Sequence, residues 1–360
     1  MAHLIDFRRI RLHALWELGG YRDSCFRPEN HHLLSTMYRT LAFRLFLLLN
    51  GGIVTGQTTV ILDTDLDSDV DDVQALALLH VLADRGSIDL AGVVVTSRDR
   101  YAASCADAIN TFYGRPDLPV GFLRHRDSLR EDSRYTRHLA NDFPHDIRDF
   151  SDTEPSVRLY RRLLAGARDS SVVIVTVGHL TAFRDFLLSP ADDLSRLSGK
   201  ELARIKVRKW LCMGGRYPAG KEANFYRPDP RSTAEALAHW EGEVIFSGWE
   251  LGSLIVTGGQ YLRDHLPVDH PVYQAFLHFN GFAGRPAWDQ SIVLLLDPVA
   301  DDFFEYLRGG YVSVNEEGEN RWIPEAFPGK HHAYVLLRPA VKGERIGRYI
   351  DDLIIGQTKH

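Results

Sequence analysis

The chain has 360 residues, of which 44% are hydrophobic, and its formal net charge is −6. This length and apolar content suffice for one large α/β domain or two smaller ones. A negative charge balance without a run of Lys and Arg argues against a nucleic-acid or membrane partner. The three cysteines, Cys25, Cys105 and Cys212, are odd in number and widely spaced, so they predict neither a disulfide framework nor a zinc site.

Residues 1–57 differ from the rest of the chain because they lack sustained apolar periodicity. From Met37 onward, two arginines precede the apolar run 45–49 and small residues follow it, an order typical of a secretory signal peptide. The alternative is a short apolar helix in a flexible extension. We predict an N-terminal extension over residues 1–57 that the fold does not need, and a structured domain over residues 58–356. The protein would be secreted or periplasmic if the signal functions, and cytoplasmic otherwise.

The segment Val60–Leu79 joins a short apolar strand to a helix whose apolar residues recur at helical spacing. Six aspartates crowd into the ten positions between them: Asp63, Asp65, Asp67, Asp69, Asp71 and Asp72. Carboxylates packed this closely repel one another, and a cation with oxygen ligands relieves the repulsion. Because ligands of open α/β sheets bind beyond the carboxyl ends of the strands, this acidic loop predicts a cation site.

Other interpretations of the acidic loop stay open on its residues alone. Acidic runs are often solvated, and the last one or two aspartates could simply cap the helix. An EF-hand fits less well because Ser68 replaces its glycine and Gln74 stands where its closing Glu belongs. A Mg²⁺-dependent phosphatase would use Asp63 or Asp65 as its nucleophile, but it would leave the later aspartates without a role.

The following segments repeat the order strand, helix, strand. Ile88–Thr96 and Ser171–Val177 read as strands, and Ala102–Phe112 reads as a helix. Such units are right-handed and build parallel sheets. We therefore predict an α/β fold with an open, mostly parallel, Rossmann-like sheet and helices on both of its faces.

Two regions interrupt this alternation. Residues 124–152 are rich in Arg, Asp and His, and they predict a surface excursion that could cover the site. Near the end of the chain, Tyr311–Val314 and Tyr334–Leu337 flank a Glu317-Gly318 turn signal, and they predict a small C-terminal β-hairpin.

The motif D-T-D-x-x-x-D-x-D-D at residues 63–72, followed by an apolar helix, resembles the N-terminal signature of the nucleoside hydrolases. Its loop is two residues longer than usual and similar to a longer-loop branch of that family. Further similar segments follow in the family's order: G-R-P-D-L-P-V at 114–120, M-G-G at 213–215, and E-A-N-F at 222–225 with Asp229-Pro230. The similarity extends over residues 58–355. One departure is Ala182, which stands where the family has Asn.

The resemblance implies a Ca²⁺ ion as cofactor and a small-molecule nucleoside as partner, and a homo-oligomer is compatible with it. The implied metal ligands are Asp65, Asp72, the carbonyl of Val177, and Asp289. The implied substrate contacts are Asp71, Glu222, Asn224, Trp288 and Asp289. Asp65 would also deprotonate the attacking water. We expect Asp63 to orient the loop, and Asp67 and Asp69 to be exposed to solvent.

Many relatives carry His immediately before the last aspartate, where this chain has Trp288. An indole cannot donate an acidic proton, but it can stack on a purine and stabilise its protonated form. The alternative for Trp288 is core packing alone. His179, His278 and Asn280 are weaker candidates for the site.

The implied activity is Ca²⁺-dependent hydrolysis of the N-glycosidic bond of ribonucleosides, giving ribose and free base, as in purine nucleoside catabolism. Two alternatives remain. One is a non-catalytic protein of the same fold that binds a ribosyl ligand, and the other is the Mg²⁺-dependent phosphatase.

Overall fold

The computed structural model describes residues 57–124 and 129–356 of the chain. The domain predicted over residues 58–356 falls almost entirely within this part. The extension predicted over residues 1–57, with the signal peptide predicted from Met37, lies outside it except for Gln57, so both stay predictions. Within the described ranges, no helix is both long and apolar enough to span a membrane.

Fourteen strands occur in the described residues and form three sheets. In chain order they are β1 (Thr58–Thr64), β2 (Ile88–Val95), β3 (Val120–Phe122), β4 (Glu154–Pro155), β5 (Val172–Thr176), β6 (Val207–Met213), β7 (Ala219–Lys221), β8 (Glu243–Ser247), β9 (Val256–Thr257), β10 (Arg285–Pro286), β11 (Phe304–Leu307), β12 (Tyr311–Val314), β13 (Glu319–Ile323) and β14 (His331–Leu337). The main sheet has nine strands in the order β11-β14-β8-β6-β5-β1-β2-β3-β4. Every neighbouring pair in it is parallel except β11 with β14, which confirms the predicted sheet.

The helices of the described residues connect these strands. In chain order they are α1 (Asp71–Asp84), α2 (Ala102–Phe112), α3 (Thr136–Asp142), α4 (Ser156–Gly166), α5 (Thr181–Leu187), α6 (Gly199–Lys206), α7 (Ala223–Tyr226), α8 (Pro230–His239), α9 (Trp249–Gly252), α10 (Gln260–His265), α11 (Pro271–Asn280), α12 (Trp288–Val293), α13 (Ala300–Phe303) and α14 (Gly343–Ile355). Helix α1 is buried on all sides from Asp71 to Leu82, because α12 and α14 cover it. It is therefore a core helix rather than an amphipathic surface helix.

The core is divided into two clusters by the alternation of side chains along β1. Val60 and Leu62 pack with α1 on one face, whereas Ile61 packs with Tyr160 and Phe183 on the other. A parallel strand covered on both faces has a continuous apolar sequence. This is why three consecutive apolar residues mark β1 in the sequence.

The strand order reverses next to β1. The chain first adds β2, β3 and β4 on one side of β1, and then β5, β6, β8 and β14 on the other side. At such a switch point the loops that follow the two central strands separate and leave a crevice. These are the loops that hold Asp65, after β1, and Val177, after β5.

The C-terminal hairpin exists, but its second strand differs from the predicted one. β12 pairs with β13 around the Glu317-Gly318 turn, and β13 also pairs with β7. Residues Tyr334–Leu337 instead belong to β14, which lies parallel to β8 in the main sheet. The apolar run in β14 reflects burial within the main sheet, and an apolar run does not by itself identify its pairing partner.

Two further interpretations change with the structure. The acidic loop follows a strand of the central sheet rather than a helix, so the helix–loop–helix of an EF-hand is excluded. The described part of the 124–152 excursion contains α3, which buries Leu139 together with the preceding Tyr135. The excursion is therefore partly anchored in the core, because these two apolar side chains leave solvent.

Candidate active site

A cavity of about 490 Å³ opens at the carboxyl ends of the central strands. All eight predicted site residues line it: Asp65, Asp71, Asp72, Val177, Glu222, Asn224, Trp288 and Asp289. They come from the loops after β1 and β5, from α7 and the residue before it, and from α1 and α12. Residues up to 224 positions apart in the sequence therefore share one cavity because parallel strands end at the same edge of a sheet.

The loop after β1 is held in an unusual backbone conformation. Leu66 has φ +41°, in the left-handed region that residues other than glycine rarely adopt, and its side chain is fully buried. Its backbone N–H donates a hydrogen bond to Asp72. The buried side chain and this hydrogen bond anchor the loop, which presents Asp65 on one side of Leu66 and Asp67 on the other.

Asp63 orients the end of β1, as expected. Its Oδ1 accepts a hydrogen bond from the Thr96 hydroxyl at 2.5 Å, and its Oδ2 accepts one from the Tyr160 hydroxyl at 2.7 Å. Burial raises the pKa of Asp63 to about 7 although both hydrogen bonds oppose the shift. Asp63 does not line the cavity, unlike the other aspartates of the site, so its carboxyl group is not placed to contact a substrate there. The phosphatase interpretation thus loses one of its two nucleophile candidates.

The floor of the cavity is a group of four aspartates, Asp65, Asp71, Asp72 and Asp289, which we call the carboxylate cluster. Ligand oxygens of Asp71, Asp72 and Asp289 all lie within 4.8 Å of one another. Asp72 is hydrogen-bonded to Asp65 and to the Thr64 hydroxyl, and the Asp289 backbone N–H donates to Asp71 Oδ2 at 3.3 Å. The structure therefore places Asp71, assigned to the substrate by resemblance, as close to a cation position as Asp72 and Asp289.

The electrostatics of the carboxylate cluster are those of buried like charges held close together. Burial, followed by the charges of Asp71, Asp72 and Asp65, raises the pKa of Asp289 well above its usual range. Burial and the charge of Asp72 do the same to the pKa of Asp65. Buried carboxylates this close together require protons or a cation to relieve their repulsion. The group of possible metal ligands found in the described residues consists of carboxylates alone. Such hard oxygen donors suit Ca²⁺ or Mg²⁺, so the residues present fit the implied metal.

One wall of the cavity is formed around the carbonyl of Val177. This carbonyl accepts a hydrogen bond from Asn224 Nδ2 at 2.8 Å. The next residue is Gly178, where an added Cβ would lie 2.8 Å from the backbone nitrogen of Asp65, so only glycine allows the two loops to meet. One carbonyl oxygen has two lone pairs, so the bond to Asn224 leaves one for a cation.

Glu222 holds the Asn224 segment in place through hydrogen bonds to backbone N–H groups. Its Oε1 accepts from the Asn224 backbone N–H at 2.9 Å, and its Oε2 accepts from the Gly215 N–H at 3.0 Å. Burial raises the pKa of Glu222 to about 7, and these hydrogen bonds oppose the shift. Glu222 is therefore a cap of the Asn224 loop as well as a part of the cavity lining.

Trp288 is held in place at the rim of the cavity. Its indole N–H donates to the Trp249 carbonyl at 3.0 Å, and the Arg285 guanidinium lies 4.9 Å from its ring centroid. The side chain is half-buried and lines the cavity, so it is not a plain core residue. Because its single donor is used by the protein, the indole offers a substrate its ring face.

The prediction that Asp67 and Asp69 are exposed to solvent is wrong, because both are half-buried. Asp69 forms an ion pair with Arg285, which reaches it from 216 positions further along the chain. Asp67 Oδ2 accepts from the Ser97 hydroxyl at 3.1 Å, and burial raises its pKa to about 6. Neither partner was visible in the sequence because both contacts are made between distant segments.

Among the weaker candidates, His179 lines the cavity and its Nδ1 is 2.9 Å from the Thr181 hydroxyl. His278 and Asn280 do not line it: His278 stacks on His138, and Asn280 Nδ2 donates to the Gly284 carbonyl at 3.0 Å. The sequence analysis missed Lys221, Tyr226 and Arg227 at the rim of the cavity. The signal available for these three residues was their position within or beside the 222–230 segment.

No family model matches the sequence, and a search of curated proteins finds no match either. Solved structures do match the fold. A plant nucleoside hydrolase aligns with a TM-score of 0.62 at 18% identity, over 83% of this chain and 99% of its own. The inosine-uridine preferring nucleoside hydrolase from Bacillus anthracis aligns with a TM-score of 0.61 at 14% identity, over 83% and 99% of the two chains.

A third similar structure is the type III effector protein XopQ complexed with adenosine diphosphate ribose. It has a TM-score of 0.63 at 14% identity, and the alignment covers 84% of this chain and 94% of that one. The fold of this chain is therefore that of the nucleoside hydrolases, with a carboxylate-floored cavity at the switch point of the sheet.

Proposed function

We propose that the chain is a nucleoside hydrolase, a Ca²⁺-dependent enzyme that cleaves the N-glycosidic bond of ribonucleosides. The observation that carries the proposal is the carboxylate cluster, whose buried like charges need a cation and which forms the floor of the cavity. Asp65, Asp72, Asp289 and the Val177 carbonyl would hold the ion. When bound, the ion would act as a Lewis acid toward the attacking water and the ribose hydroxyls.

The reaction adds water across the bond between ribose C1′ and the base nitrogen. The C1′–N bond breaks through an oxocarbenium-like sugar, a C1′–O bond forms, and one proton of the water ends on the base. Asp65 would remove the proton from the attacking water, because it lines the cavity at the floor where the ion would lie. Its hydrogen bond to Asp72 would help to hold it there.

The ribose hydroxyls would be gripped from two sides. Asp71 and Asp289 would supply carboxylate acceptors from the floor. The Asn224 amide oxygen would supply a further acceptor from the wall, because its amide nitrogen donates to Val177 and Met213. Glu222 fixes Asn224 through its backbone N–H and offers remaining lone pairs to a hydroxyl. Such hydrogen bonds orient C1′ toward the attacking water.

Departure of the base would depend on Trp288. A purine stacked on its ring face gains stabilisation of the protonated form, so purine nucleosides should react faster than pyrimidine nucleosides. Replacing Trp288 by Ala should slow inosine turnover by about 10²-fold or less. The same substitution should leave the turnover of nitrophenyl riboside unchanged, because its leaving group departs without being protonated. Equal losses of activity on both substrates would mean that Trp288 only packs against its neighbours. His179 would then be the next residue to test.

A second candidate function is binding of a ribosyl ligand without turnover. Trp288 in place of an acid favours it, as does the XopQ structure, whose bound ligand contains ribose. Release of ribose from a panel of nucleosides, with and without a chelator, tests both functions. Ca²⁺-dependent release supports the hydrolase. Saturable nucleoside binding without release supports the binding protein, and phosphate release from sugar phosphates with Mg²⁺ alone would restore the phosphatase.

A further inference from the structure

Three cations near the mouth of the cavity are held on aromatic rings. Lys221 Nζ lies 5.1 Å and Arg227 Cζ 4.8 Å from the centroid of the Tyr226 ring. Arg216 Cζ lies 4.4 Å from the centroid of the Trp249 ring. We call Arg216, Lys221 and Arg227 the cationic rim. All three side chains are exposed, and Lys221 and Arg227 line the cavity itself.

The cationic rim differs from other basic residues of the cavity in its partners. Arg285 forms an ion pair with Asp69, and Arg130 Nη1 lies 3.8 Å from Asp132 Oδ2. In the part of the chain that the structure describes, no member of the rim forms an ion pair with a carboxylate. The charges of Lys221 and Arg227 at the mouth of the cavity are therefore not paired with a carboxylate, although Arg216 interacts electrostatically with Glu250. The rings restrict where the three charges lie.

The position of the cationic rim relative to a ribose follows from the sugar's own geometry. The 2′ and 3′ hydroxyls share one edge of the ring, and the C5′ substituent leaves from the opposite side. With the hydroxyl edge on the carboxylate cluster and the Asn224 amide, the C5′ substituent is directed toward the mouth. Lys221 and Arg227 flank Asn224 in the sequence and line the same cavity.

We propose, on the basis of the hydrolase function above, that the substrate is an N-riboside with a phosphate on its 5′ oxygen. Lys221 and Arg227 would bind the phosphate, and Arg216 would add to the local positive potential. A terminal phosphate carries close to two negative charges at neutral pH and accepts several charge-assisted hydrogen bonds. Water would still add at C1′, so the products are ribose 5-phosphate and the free base, and the phosphate ester stays intact.

The test compares inosine 5′-monophosphate with inosine in the full chain with Ca²⁺. The quantity is the ratio of kcat/KM for the two substrates, in the wild type and in Lys221→Gln and Arg227→Gln. Arg231→Gln is the matched control, because Arg231 is an exposed arginine that pairs with Glu235 at 3.0 Å and does not line the cavity. We expect the wild type to prefer the monophosphate.

Each rim variant should lower this ratio by about 10-fold, the loss of one charge-assisted hydrogen bond, while Arg231→Gln should leave it unchanged. Added salt should also lower the ratio in the wild type, because the rim is exposed. A wild-type preference for inosine, or an unchanged ratio in both rim variants, would overturn the inference while leaving the hydrolase function intact.

Absence of base release from both substrates would instead contradict the proposed hydrolase function. In that event the same variants are compared by calorimetric binding of the two ligands with Ca²⁺. Tighter binding of the monophosphate that weakens about 10-fold in the rim variants supports the phosphate site. Equal binding of both ligands excludes it.

Discussion

The same two helices carry two buried polar clusters of opposite character. At their beginnings, α1 and α12 contribute Asp71, Asp72 and Asp289 to the carboxylate cluster. Only two residues further along α1, Gln74 Nε2 donates to Asp351 Oδ1 at 2.8 Å, and its Oε1 accepts from Gln290 Nε2 at 2.8 Å. We call Gln74, Gln290 and Asp351 the amide network.

The two clusters show what polar burial can do. In the amide network the side-chain nitrogens of Gln74 and Gln290 each donate to an acceptor, while Gln290 Oε1 has no partner. The two hydrogen bonds link α1, α12 and α14 and stabilise their packing. In the carboxylate cluster acceptors face acceptors, so its burial costs stability until protons or a cation arrive. The residues that stabilise helix packing and those that would bind the ion thus lie in adjacent turns of the same helices.

Removing a cluster aspartate should have the largest effect on activity. Asp65→Ala and Asp289→Ala should each lower ribose release by about 10³-fold or more, because each removes a ligand of the ion and its electrostatic contribution. They should also abolish the rise in melting temperature on adding Ca²⁺, which corresponds to about 2.7 kcal/mol at 100 times Kd in a binding-competent chain. Without Ca²⁺ they should melt no lower than the wild type, since each removes a repelling charge. A Ca²⁺-induced rise that survives in both variants would place the ion elsewhere.

Breaking the amide network should affect stability rather than ion binding. Gln74→Leu removes two buried hydrogen bonds and leaves Gln290 Nε2 without its acceptor, so the free energy of unfolding should fall by about 1–3 kcal/mol. Urea denaturation measures this. Gln260→Leu is the control, because Gln260 is exposed and bonds only to Asp264, and its effect should stay within about 0.5 kcal/mol. The rise in melting temperature with Ca²⁺ should remain in both variants. Loss of this rise in Gln74→Leu would show that ion binding depends on the amide network.

Ionisation of Asp351 should have a smaller effect on the free energy of unfolding, and the sign of its pH dependence is defined. Burial raises the pKa of Asp351 to about 6, and the hydrogen bond from Gln74 opposes the shift. The folded state therefore holds this proton more tightly than the unfolded state, whose pKa is near 3.8. The contribution of Asp351 to stability falls as pH rises from about 4 to about 6 and is constant above. Asp351→Asn keeps an acceptor for Gln74 and cannot ionise, so it should gain on the order of 1–2 kcal/mol relative to the wild type across this window. A difference between the two proteins that is independent of pH would show that Asp351 is ionised throughout.

The smallest effect is expected at Asp67. This residue lines the cavity beside the carboxylate cluster, but it bonds to Ser97 and belongs to the two-residue extension of the loop. Asp67→Ala should change kcat/KM by less than about 5-fold, the cost of a half-exposed charge near the site. Ribose release from inosine measures it beside Asp65→Ala. A loss equal to that of Asp65→Ala would mean that the acidic loop presents different aspartates to the ion.

The sequence alone determined the local elements of this protein. β1, β2, β5, α1 and α2 lie where apolar periodicity predicted them, because a strand or helix is specified by residues near one another in the chain. The motif at residues 63–72 and the E-A-N-F segment contain five of the eight predicted residues that line one cavity. The resemblance added Val177, Trp288 and Asp289, since it carries information about distant contacts that periodicity lacks.

Only the tertiary structure decided which distant residues meet. It paired Asp69 with Arg285, gave both oxygens of Asp63 to Thr96 and Tyr160, and placed β14 in the main sheet rather than in the hairpin. It also brought Lys221, Arg227 and Tyr226 to the mouth of the cavity. The physical reason is the same in each case: ion pairs, strand partners and cavity walls are formed between segments far apart in sequence, and local patterns do not encode which segments those are.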